Sequence, residues 1–536
     1  MSLVRASAVM TVGTILSRAT GLLRLTAITA ALGVAESRLA DSYNLANMVP
    51  NLLYSLLLGG ILTSVFVPVI VEMLDKEGRD RAWEGISALI NLSVLVLCVA
   101  TMIGMVAAPW IAEFYATRLE GDAARAQQHV ITVLLQLFIP QVIFYGLTAL
   151  TAGLLNANGR FGAPMYTPVL NNILVVAIFA AFHTTYGNVG LDATPGQLLV
   201  IGAGTTLGVA AMALAQLPFL RGLGRYRFNL SIRHPAIKKV AKLSVWVVGY
   251  MTVTQLGFLA VQWLSNAQQG GYSAYFVGFT FYMLPISMFG LSITTALLPQ
   301  MSRQASNESW ANFRERMSLG IRATTFLIVP ASVGYFVLAQ PLVELLLENG
   351  VMTPESTSLV VDVLRFFVVG LPQGAIVTFF VRSFYSMQDA RTPFFLASLV
   401  VIFNTGINVP LFAWLGVEGL ALGHALASTF GILLLGRSLA RRAGGLDGTR
   451  VRKSVTRITL ASIVMGVIVW LLLLALNLVI ASEGFLQQCV LVGVPSVGGI
   501  VSYVLLAHAF KVEEIAYVRR LLTRSRTPEV PTSPTL

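Results

Sequence analysis

Charged residues are scarce in this 536-residue chain, since Asp, Glu, Lys and Arg together make up only 11% of it. An ordinary soluble chain carries about 25%, so too few polar side chains are present to coat several soluble domains. Hydrophobic residues account for 56% of the sequence, and the mean hydropathy is +0.77. The composition excludes a soluble enzyme, a nucleic-acid-binding protein and a disordered scaffold. It predicts a polytopic membrane protein.

Cysteine and histidine are also rare. Cys98 and Cys489 each lie in an apolar run, and the five His residues are scattered along the chain. The sequence contains no CxxC pair and no His cluster, which argues against a disulfide framework and against a metal site. The amino terminus lacks a clean apolar core followed by a small-residue cleavage site, so we interpret it as a retained first membrane span.

Long apolar runs are what the sequence has in abundance. A helix that crosses the hydrocarbon core needs about 20 mostly apolar residues, and barrel strands would instead alternate over about ten residues. The pattern predicts an all-α fold with 14 transmembrane helices. The predicted spans 1 to 14 are residues 6–32, 40–71, 84–109, 129–156, 164–184, 197–220, 238–266, 272–301, 317–340, 359–386, 393–415, 417–437, 455–480 and 485–509.

The basic residues predict the orientation of these spans, because Lys and Arg are enriched in cytoplasmic connections. Most of the 36 Lys and Arg residues lie at the two termini and in the connections after even-numbered spans. Only Arg38, Arg118 and Arg125 lie in the opposite connections. Both termini are therefore expected to be cytoplasmic. The net charge of +12 is explained by this asymmetry and by contact with anionic lipid heads, without a nucleic-acid partner.

An internal repeat of about 231 residues is visible in three landmarks. TSVFVPVIVEM, AAPWIAEF and the connection around Arg160 recur as TTALLPQMSRQ, AQPLVELL and the connection around Arg391. Each copy holds six spans, so both copies run in the same direction, as in transporters that hold substrate between two bundles. We predict an amino-terminal lobe (1–222), a carboxyl-terminal lobe (223–441), spans 13 and 14 (442–510) and a cytoplasmic tail (511–536).

Two arginines in span 1 are the strongest indication of a polar cavity. A charge at the bilayer centre costs about 2.5–3.5 kcal/mol on insertion scales. Arg18 and Arg24 are separated by about 120° around a helix and by about 9 Å along its axis. Gly13, Ser17 and Gly21 form a stripe of small residues that allows another helix to approach closely. We expect the two cations to line an internal cavity; the alternative for Arg24 is snorkelling to the head-group layer.

Span 2 combines an acid with several helix-breaking residues. Asp41 opens the span, where it is expected to cap the amino end of this helix or to pair with an arginine of span 1. Pro50 and Asn51 follow, and then Gly59 and Gly60. Breaks of this kind are tolerated where the backbone meets a cavity or a neighbouring helix. Together with Gly21, the residues Pro50, Gly59 and Gly60 are predicted to form a hinge, although a static kink fits the same pattern.

Polar residues of the later spans have simpler explanations. Arg322 and Arg382 are placed where snorkelling is feasible, and Asp362 precedes Arg365 by three residues, which suits a local ion pair. Asn404 and Asn408 stand four residues apart on span 11. Their carbonyl oxygens suit Na⁺, but hydrogen bonding to a neighbouring span is the commoner use of such amides.

Several motifs together resemble the MurJ (MviN) family of lipid II flippases, in its actinobacterial style. They are SRATGLLR, LGVAESRLADSYNLANMVPNLLYSLLLGGILTSVFVPV, AAPWIAEFY, NANGRFGAPMYTPVLNN, GLSITTALLPQMS and FYSMQDARTP, and they extend over spans 1 to 12. The resemblance implies a multidrug/oligosaccharidyl-lipid/polysaccharide exporter fold. It also implies export of an undecaprenyl-diphosphate-linked peptidoglycan precursor across the bacterial cytoplasmic membrane by alternating access, without an enzymatic reaction.

The resemblance also suggests which residues meet the substrate. Arg18 and Arg24 match span 1 arginines of the family that are thought to engage the diphosphate and sugar-peptide head, and Asp41 matches the family's acidic residue. Tyr54 and Thr280 stand where many members have arginine. The family's sodium site is matched only by Asn404 and Asn408, so coupling to Na⁺ or to the membrane potential is left open, and no cofactor is expected. The residues expected at the substrate are Ser17, Arg18, Arg24, Asp41, Asn51 and Arg382.

Other functions share some of these sequence features. A flippase for another polyprenyl-linked glycan fits the same pattern. A cation-coupled drug exporter would be expected to carry buried carboxylates, and no Asp or Glu lies clearly in mid-span. A membrane glycan polymerase would need a large outer loop with paired acids, but the outer connections are short. The expected partners are lipid II and membrane lipids, and the protein is expected to be a monomer.

Overall fold

The computed structural model describes residues 3–56, 70, 73, 79–224, 226–228, 235–480 and 484–515. Within these ranges the regular structure is helical and contains no strand, which confirms the predicted all-α class. The helices are α1 (Leu3–Leu32), α2 (Arg38–Tyr54), α3 (Arg79–Ala116), α4 (Gly121–Phe138), α5 (Gln141–Ala157), α6 (Gly162–Tyr186), α7 (Pro195–Leu214), α8 (Pro235–Ser265), α9 (Gly271–Pro285), α10 (Leu291–Ser306), α11 (Trp310–Leu347), α12 (Pro354–Val369), α13 (Leu371–Ser386), α14 (Arg391–Leu415), α15 (Val417–Ala443), α16 (Gly448–Val479) and α17 (Phe485–Ala509).

Many of these helices are long and apolar enough to cross a membrane. Among the described residues eleven spans qualify by length and hydropathy, and a twelfth is obtained if α12 and α13, bent by 50°, form one span. Every predicted span overlaps at least one helix, but α2 and α8 are outside that set, so the number fourteen stays a prediction. Large apolar side chains are exposed on the protein surface, for example Trp414 (76% exposed) and Leu478 (82%). Such a surface is suited to contact with lipid tails.

The internal repeat is reproduced in the helix boundaries. Helices α3 and α11 both have 38 residues, and α11 begins and ends 231 residues after α3 (79 to 310, 116 to 347). Helices α6 and α14 both have 25 residues and are displaced by 229 (162 to 391, 186 to 415). Each of this pair ends at a glycine with positive φ, Gly187 and Gly416, where a side chain would be strained. The two copies therefore share helix lengths and stop signals.

Contacts within the chain define two compact units. The first unit comprises Met1–Thr280, Leu346–Val363 and Ala390–Gly423, and the second comprises Phe281–Leu345, Leu364–Asp389 and His424–Leu536. These boundaries run through α9, α11, α12 and α15. The lobes 1–222 and 223–441 stay a prediction.

The core of the first unit is built on close helix approach and aromatic packing. A Cβ added at Gly13 of α1 would lie 2.8 Å from the Cβ of Met165 on α6, so the small residue lets the two helices meet, as the stripe in span 1 predicted. Tyr43 is fully buried and packs edge-on against Phe138 and Phe179. Its hydroxyl group is paired with the Thr205 hydroxyl at 2.9 Å, so the core has no unpaired phenol at this point.

The second unit contains a buried ion pair that joins the segment after α17 to α11. Arg322 is 5% exposed and donates hydrogen bonds to Glu514, which is 3% exposed, and to Glu513 at 3.2 Å. Ser454 of α16 also donates to Glu514, at 2.9 Å. Glu513 is half exposed and accepts two bonds from Arg450, which hold the pKa of Glu513 below its usual value. Arg322 is therefore paired within the protein, and snorkelling is not its role.

We expect Glu514→Ala to destabilise the protein far more than Glu513→Ala. Removing one partner of a buried ion pair leaves an uncompensated charge and costs about 3–5 kcal/mol, whereas an exposed pair contributes about 0–1 kcal/mol. The thermal unfolding temperature of the purified protein in detergent measures the difference. Equal shifts for the two variants would contradict the assignment of Glu514 as the main partner of Arg322.

Candidate functional site

An open cavity of about 260 Å³ lies in the first unit and is lined by residues of α1, α2, α5, α6 and α9. Pockets for drug-sized ligands have volumes of about 300–1,000 Å³, so this cavity holds a small ligand or one part of a larger one. Its lining residues are Gly21, Arg24, Leu25, Ile28, Tyr43, Asn44, Asn47, Met48, Asn51, Tyr145, Asn172, Phe276 and Thr280.

Arg24 contributes the cavity's positive charge. The guanidinium group interacts with the hydroxyl groups of Tyr43 and Tyr145, and no carboxylate is found among the lining residues. An arginine inside a membrane helix without an acidic partner is costly unless water or a ligand solvates it. Its planar fork binds phosphate or carboxylate groups through two hydrogen bonds. The cavity is therefore suited to an anionic group.

The other predicted residues of span 1 are placed differently. Arg18 is exposed and is not a lining residue of the cavity. Ser17 is half-buried, and its carbonyl oxygen accepts a hydrogen bond from Asn172 Nδ2 at 3.2 Å. Gly21 lines the cavity, and a Cβ added there would lie 3.8 Å from Asn172 Nδ2. The structure thus brings Arg24 and Gly21 to the cavity and leaves Arg18 outside it.

Polar residues of α2 form the wall of the cavity that faces the α1 residues. Asn51 lines it, as expected, and donates from Nδ2 to the Asn47 carbonyl oxygen at 3.2 Å. Pro50 is buried inside the helix, and a π-helical turn follows at residues 55–56. Gly59 and Gly60 lie outside the described residues. The proline and the π-helical turn both interrupt the regular backbone hydrogen bonding of the helix at this point. The hinge itself stays a prediction.

Asp41 has a partner that the sequence did not indicate. Its side chain is fully buried and accepts hydrogen bonds from the backbone N–H groups of Gly270 and Ser273, each at 2.8 Å. These two N–H groups belong to the first turn of α9 and its preceding residue, so Asp41 caps α9. The capping residue of its own helix is Ser37, which accepts from the Leu39 N–H at 3.2 Å. Asp41 thereby fixes α9, whose residues Phe276 and Thr280 line the cavity.

The connection between α1 and α2 is also held by hydrogen bonds between charged side chains and the backbone of other segments. Arg38 donates from Nη1 to the Asn266 carbonyl oxygen at 2.9 Å, and Glu36 accepts from the Thr353 N–H at 2.6 Å. Burial disfavours the charged form of Glu36, but hydrogen bonds from Thr353, Ser356 and Val34 outweigh that effect and lower its pKa below the usual value. The connection between α1 and α2 is therefore fastened to the ends of α8 and α12 by charged groups.

Two further predictions concern residues away from the cavity. Arg382 of α13 belongs to the second unit, is partly exposed and is not a lining residue of the cavity. Asn404 and Asn408 of α14 hydrogen-bond each other, with Asn408 Nδ2 donating to Asn404 Oδ1 at 3.2 Å. Within the described ranges no group of three or more His, Cys, Asp or Glu residues is positioned to hold a metal ion.

Sequence reasoning missed most of the cavity wall, including the polar residues Tyr43, Asn44, Asn47, Tyr145 and Asn172. Tyr145 and Asn172 come from spans 4 and 5, and their meeting with Arg24 is a property of the tertiary packing. Asn44 and Asn47 precede Asn51 by seven and four residues, and this helical spacing on one face was a signal that the sequence contained.

Comparisons with known proteins identify the family. The model of the family described as lipid II flippase MurJ matches residues 28–486, which is most of the chain. The chain belongs to the lipid II flippase MurJ family. A probable lipid II flippase MurJ from Rhizobium meliloti is 28% identical over 472 residues, covering 87% of this chain and 86% of that protein. The lipid II flippase MurJ of Burkholderia cenocepacia is 28% identical over 451 residues, with coverage of 82% and 84%.

Solved structures agree with MurJ family membership. A lipid II flippase MurJ in an inward closed conformation superimposes with a TM-score of 0.74 at 22% identity, covering 96% of this chain and 99% of that one. An inward-facing MATE family transporter of the MOP superfamily gives a TM-score of 0.65 at 13% identity, with coverage of 80% and 96%. The resemblance inferred from the motifs is confirmed, and the fold is that of this transporter superfamily.

Proposed function

We propose that this protein is a flippase that moves lipid II, the undecaprenyl-diphosphate-linked peptidoglycan precursor, from the cytoplasmic to the outer leaflet. The observation that carries the proposal is the cavity of the first unit, whose described lining contains Arg24 and no carboxylate, in a chain of the MurJ family. A diphosphate-linked glycan cannot cross about 30 Å of hydrocarbon unaided. A cavity with a guanidinium group supplies the charge that replaces water around the diphosphate.

The predicted residues take distinct roles in this mechanism. Arg24 binds a phosphate group through its two parallel N–H donors. Arg18, about 9 Å closer to the amino terminus along α1, is the first cation that the head group meets at the cytoplasmic entrance. The Asn51 side chain also holds the backbone of its own helix through Asn47, and Ser17 and Arg382 are the further residues that contact the substrate. Asp41 is a positioning residue, because it fixes α9.

The charge pattern indicates the orientation in the membrane, and the breaks in the helices indicate where the protein bends. The protein is a monomer in the bacterial cytoplasmic membrane, with both termini cytoplasmic as the distribution of Lys and Arg requires. The cavity opens alternately to the two sides, and bending at Gly21, at Pro50 and at Gly59 and Gly60 accompanies the change. The lipid tail remains in the bilayer throughout, while a membrane potential or a Na⁺ gradient drives the movement.

A vesicle assay tests this function directly. In proteoliposomes containing lipid II, we expect the purified protein to expose the head group to an impermeant reagent added on the other side. Because Arg24 supplies the phosphate contact, vesicles with Arg24→Gln should show at least a tenfold lower initial rate. Vesicles with Leu25→Met, a conservative change of an adjacent lining residue, should match the wild type.

The reference substrate in that assay is an ordinary phospholipid. Its movement should be the same in vesicles with and without protein. Wild-type vesicles that move lipid II no faster than empty ones, under an imposed membrane potential and under a Na⁺ gradient, would refute the proposed function.

A further inference from the structure

Neutral amides greatly outnumber charges in the Arg24 cavity. The polar lining consists of one guanidinium group, four asparagines, two tyrosines and one threonine. One guanidinium group forms a bidentate contact with one phosphate, and carboxamides add no charge to balance a second. The remaining polar groups are hydrogen-bonding partners suited to uncharged hydroxyl and amide groups.

Three of the four asparagines lie on one face of α2. Asn44, Asn47 and Asn51 are spaced i, i+3 and i+7, which places them within about 60° around the helix axis. Met48 falls on the same face and also lines the cavity. The helix therefore presents a continuous row of carboxamides to the cavity.

Asn47 is the member of this row with hydrogen-bonding capacity left over. Asn44 donates from Nδ2 to the Ser273 hydroxyl at 3.0 Å, and Asn51 donates to the Asn47 carbonyl oxygen at 3.2 Å. The Oδ1 atom of Asn47 is buried and accepts no hydrogen bond from the described part of the chain. Buried acceptors are normally paired, so this one indicates a ligand or ordered water in the cavity.

We infer that the α2 face of Asn44, Asn47 and Asn51 binds the uncharged, hydroxyl- and amide-bearing part of the head group beside the diphosphate on Arg24. The inference rests on the proposed function and names what this wall of the cavity selects: a polyprenyl diphosphate that carries a glycan, over the bare diphosphate. At about 260 Å³ the cavity has no room for a whole disaccharide-peptide, so it holds the portion adjoining the phosphates.

Direct binding measurements with three probes test this inference. The probes are undecaprenyl diphosphate, the same lipid carrying the disaccharide alone, and lipid II with its peptide. Dissociation constants are measured for the full-length protein in detergent by native mass spectrometry. Asn47→Leu should weaken binding of the two glycan-bearing probes about tenfold, as expected for losing one hydrogen bond to a buried polar group. Its affinity for undecaprenyl diphosphate should stay within twofold of the wild type.

Matched variants separate the outcomes. Leu45→Met changes a buried apolar residue of the same helix that does not line the cavity, and it should bind all three probes as the wild type does. Asn47→Ser shortens the side chain without adding an apolar group, so it should reproduce the selective loss even if Asn47→Leu folds poorly. A loss confined to the peptide-bearing probe also supports the inference and assigns the amide face to the peptide. Equal weakening of all three probes, or no change with any of them, overturns it.

Failure of the proposed function would look different. Arg24→Gln should weaken binding of all three probes, because each carries the diphosphate. A wild-type protein that binds none of them, or an Arg24→Gln variant that binds all three normally, contradicts the diphosphate contact itself. Selective loss with Asn47→Leu can be scored only after that contact is established, so the two failures are distinguishable.

Discussion

Replacing Arg24 by alanine is expected to abolish growth of a cell that depends on this protein as its lipid II flippase. A charge-assisted hydrogen bond contributes about 1.5–3 kcal/mol, which corresponds to a 10- to 100-fold loss of affinity for the phosphate group. The loss is severe in this cavity because no other lining residue is charged. Complementation at equal protein level, checked by immunoblot of the membrane fraction, measures the effect.

Variants at the same cavity show whether charge is what matters. Arg24→Lys keeps the charge but loses the bidentate fork, so it should support slow growth. Adding Thr280→Arg to Arg24→Ala places a cation back into the cavity, since Thr280 is also a lining residue, and should restore part of the growth. Normal growth of the Arg24→Ala strain, with protein level unchanged, would refute a role for Arg24 in binding the diphosphate.

Replacing Asp41 by alanine is expected to give the second large effect. The change leaves the N–H groups of Gly270 and Ser273 without their acceptor, and each unsatisfied buried group costs about 1–3 kcal/mol. It also removes the negative charge from the amino-terminal end of α9. We expect a clear fall in thermal unfolding temperature together with loss of lipid II movement in vesicles, because α9 contributes Phe276 and Thr280 to the cavity.

Ser42 provides the matched control for this prediction. It neighbours Asp41, is equally buried, and donates only to the Arg38 carbonyl oxygen of its own helix at 2.7 Å. Ser42→Ala should therefore change the unfolding temperature little, and Asp41→Asn, which retains one acceptor oxygen, should fall between the two. Equal unfolding temperatures for Asp41→Ala and Ser42→Ala would contradict the capping role.

Much of the fold was accessible from the sequence, because bilayer thickness and backbone hydrogen bonding restrict spanning segments to long apolar helices. The repeat was visible as well, and the equal lengths of α3 and α11 show it in the structure. The site was accessible only in part. A cation such as Arg24 stands out in an apolar run, but the run does not tell which face of α1 meets the cavity, so Arg18 and Arg24 could not be separated.

Hydrogen-bond partners that are distant in the sequence could not be predicted from it. Asp41 and Gly270 are 229 residues apart, and their contact depends on how α2 packs beside α9. Asn172 reaches α1 from 155 residues away. Polar groups of these types are common in membrane helices, and no local pattern distinguishes the one that meets a given partner.

The Arg322–Glu514 pair has a consequence for biogenesis. The two residues are 192 positions apart, and Glu514 follows α17. During synthesis the arginine of α11 is made well before its counter-ion, so its charge stays unneutralised until the segment after α17 has been synthesised. The buried ion pair therefore forms only after α17 has been made, and a chain truncated before residue 514 leaves that arginine without its buried partner.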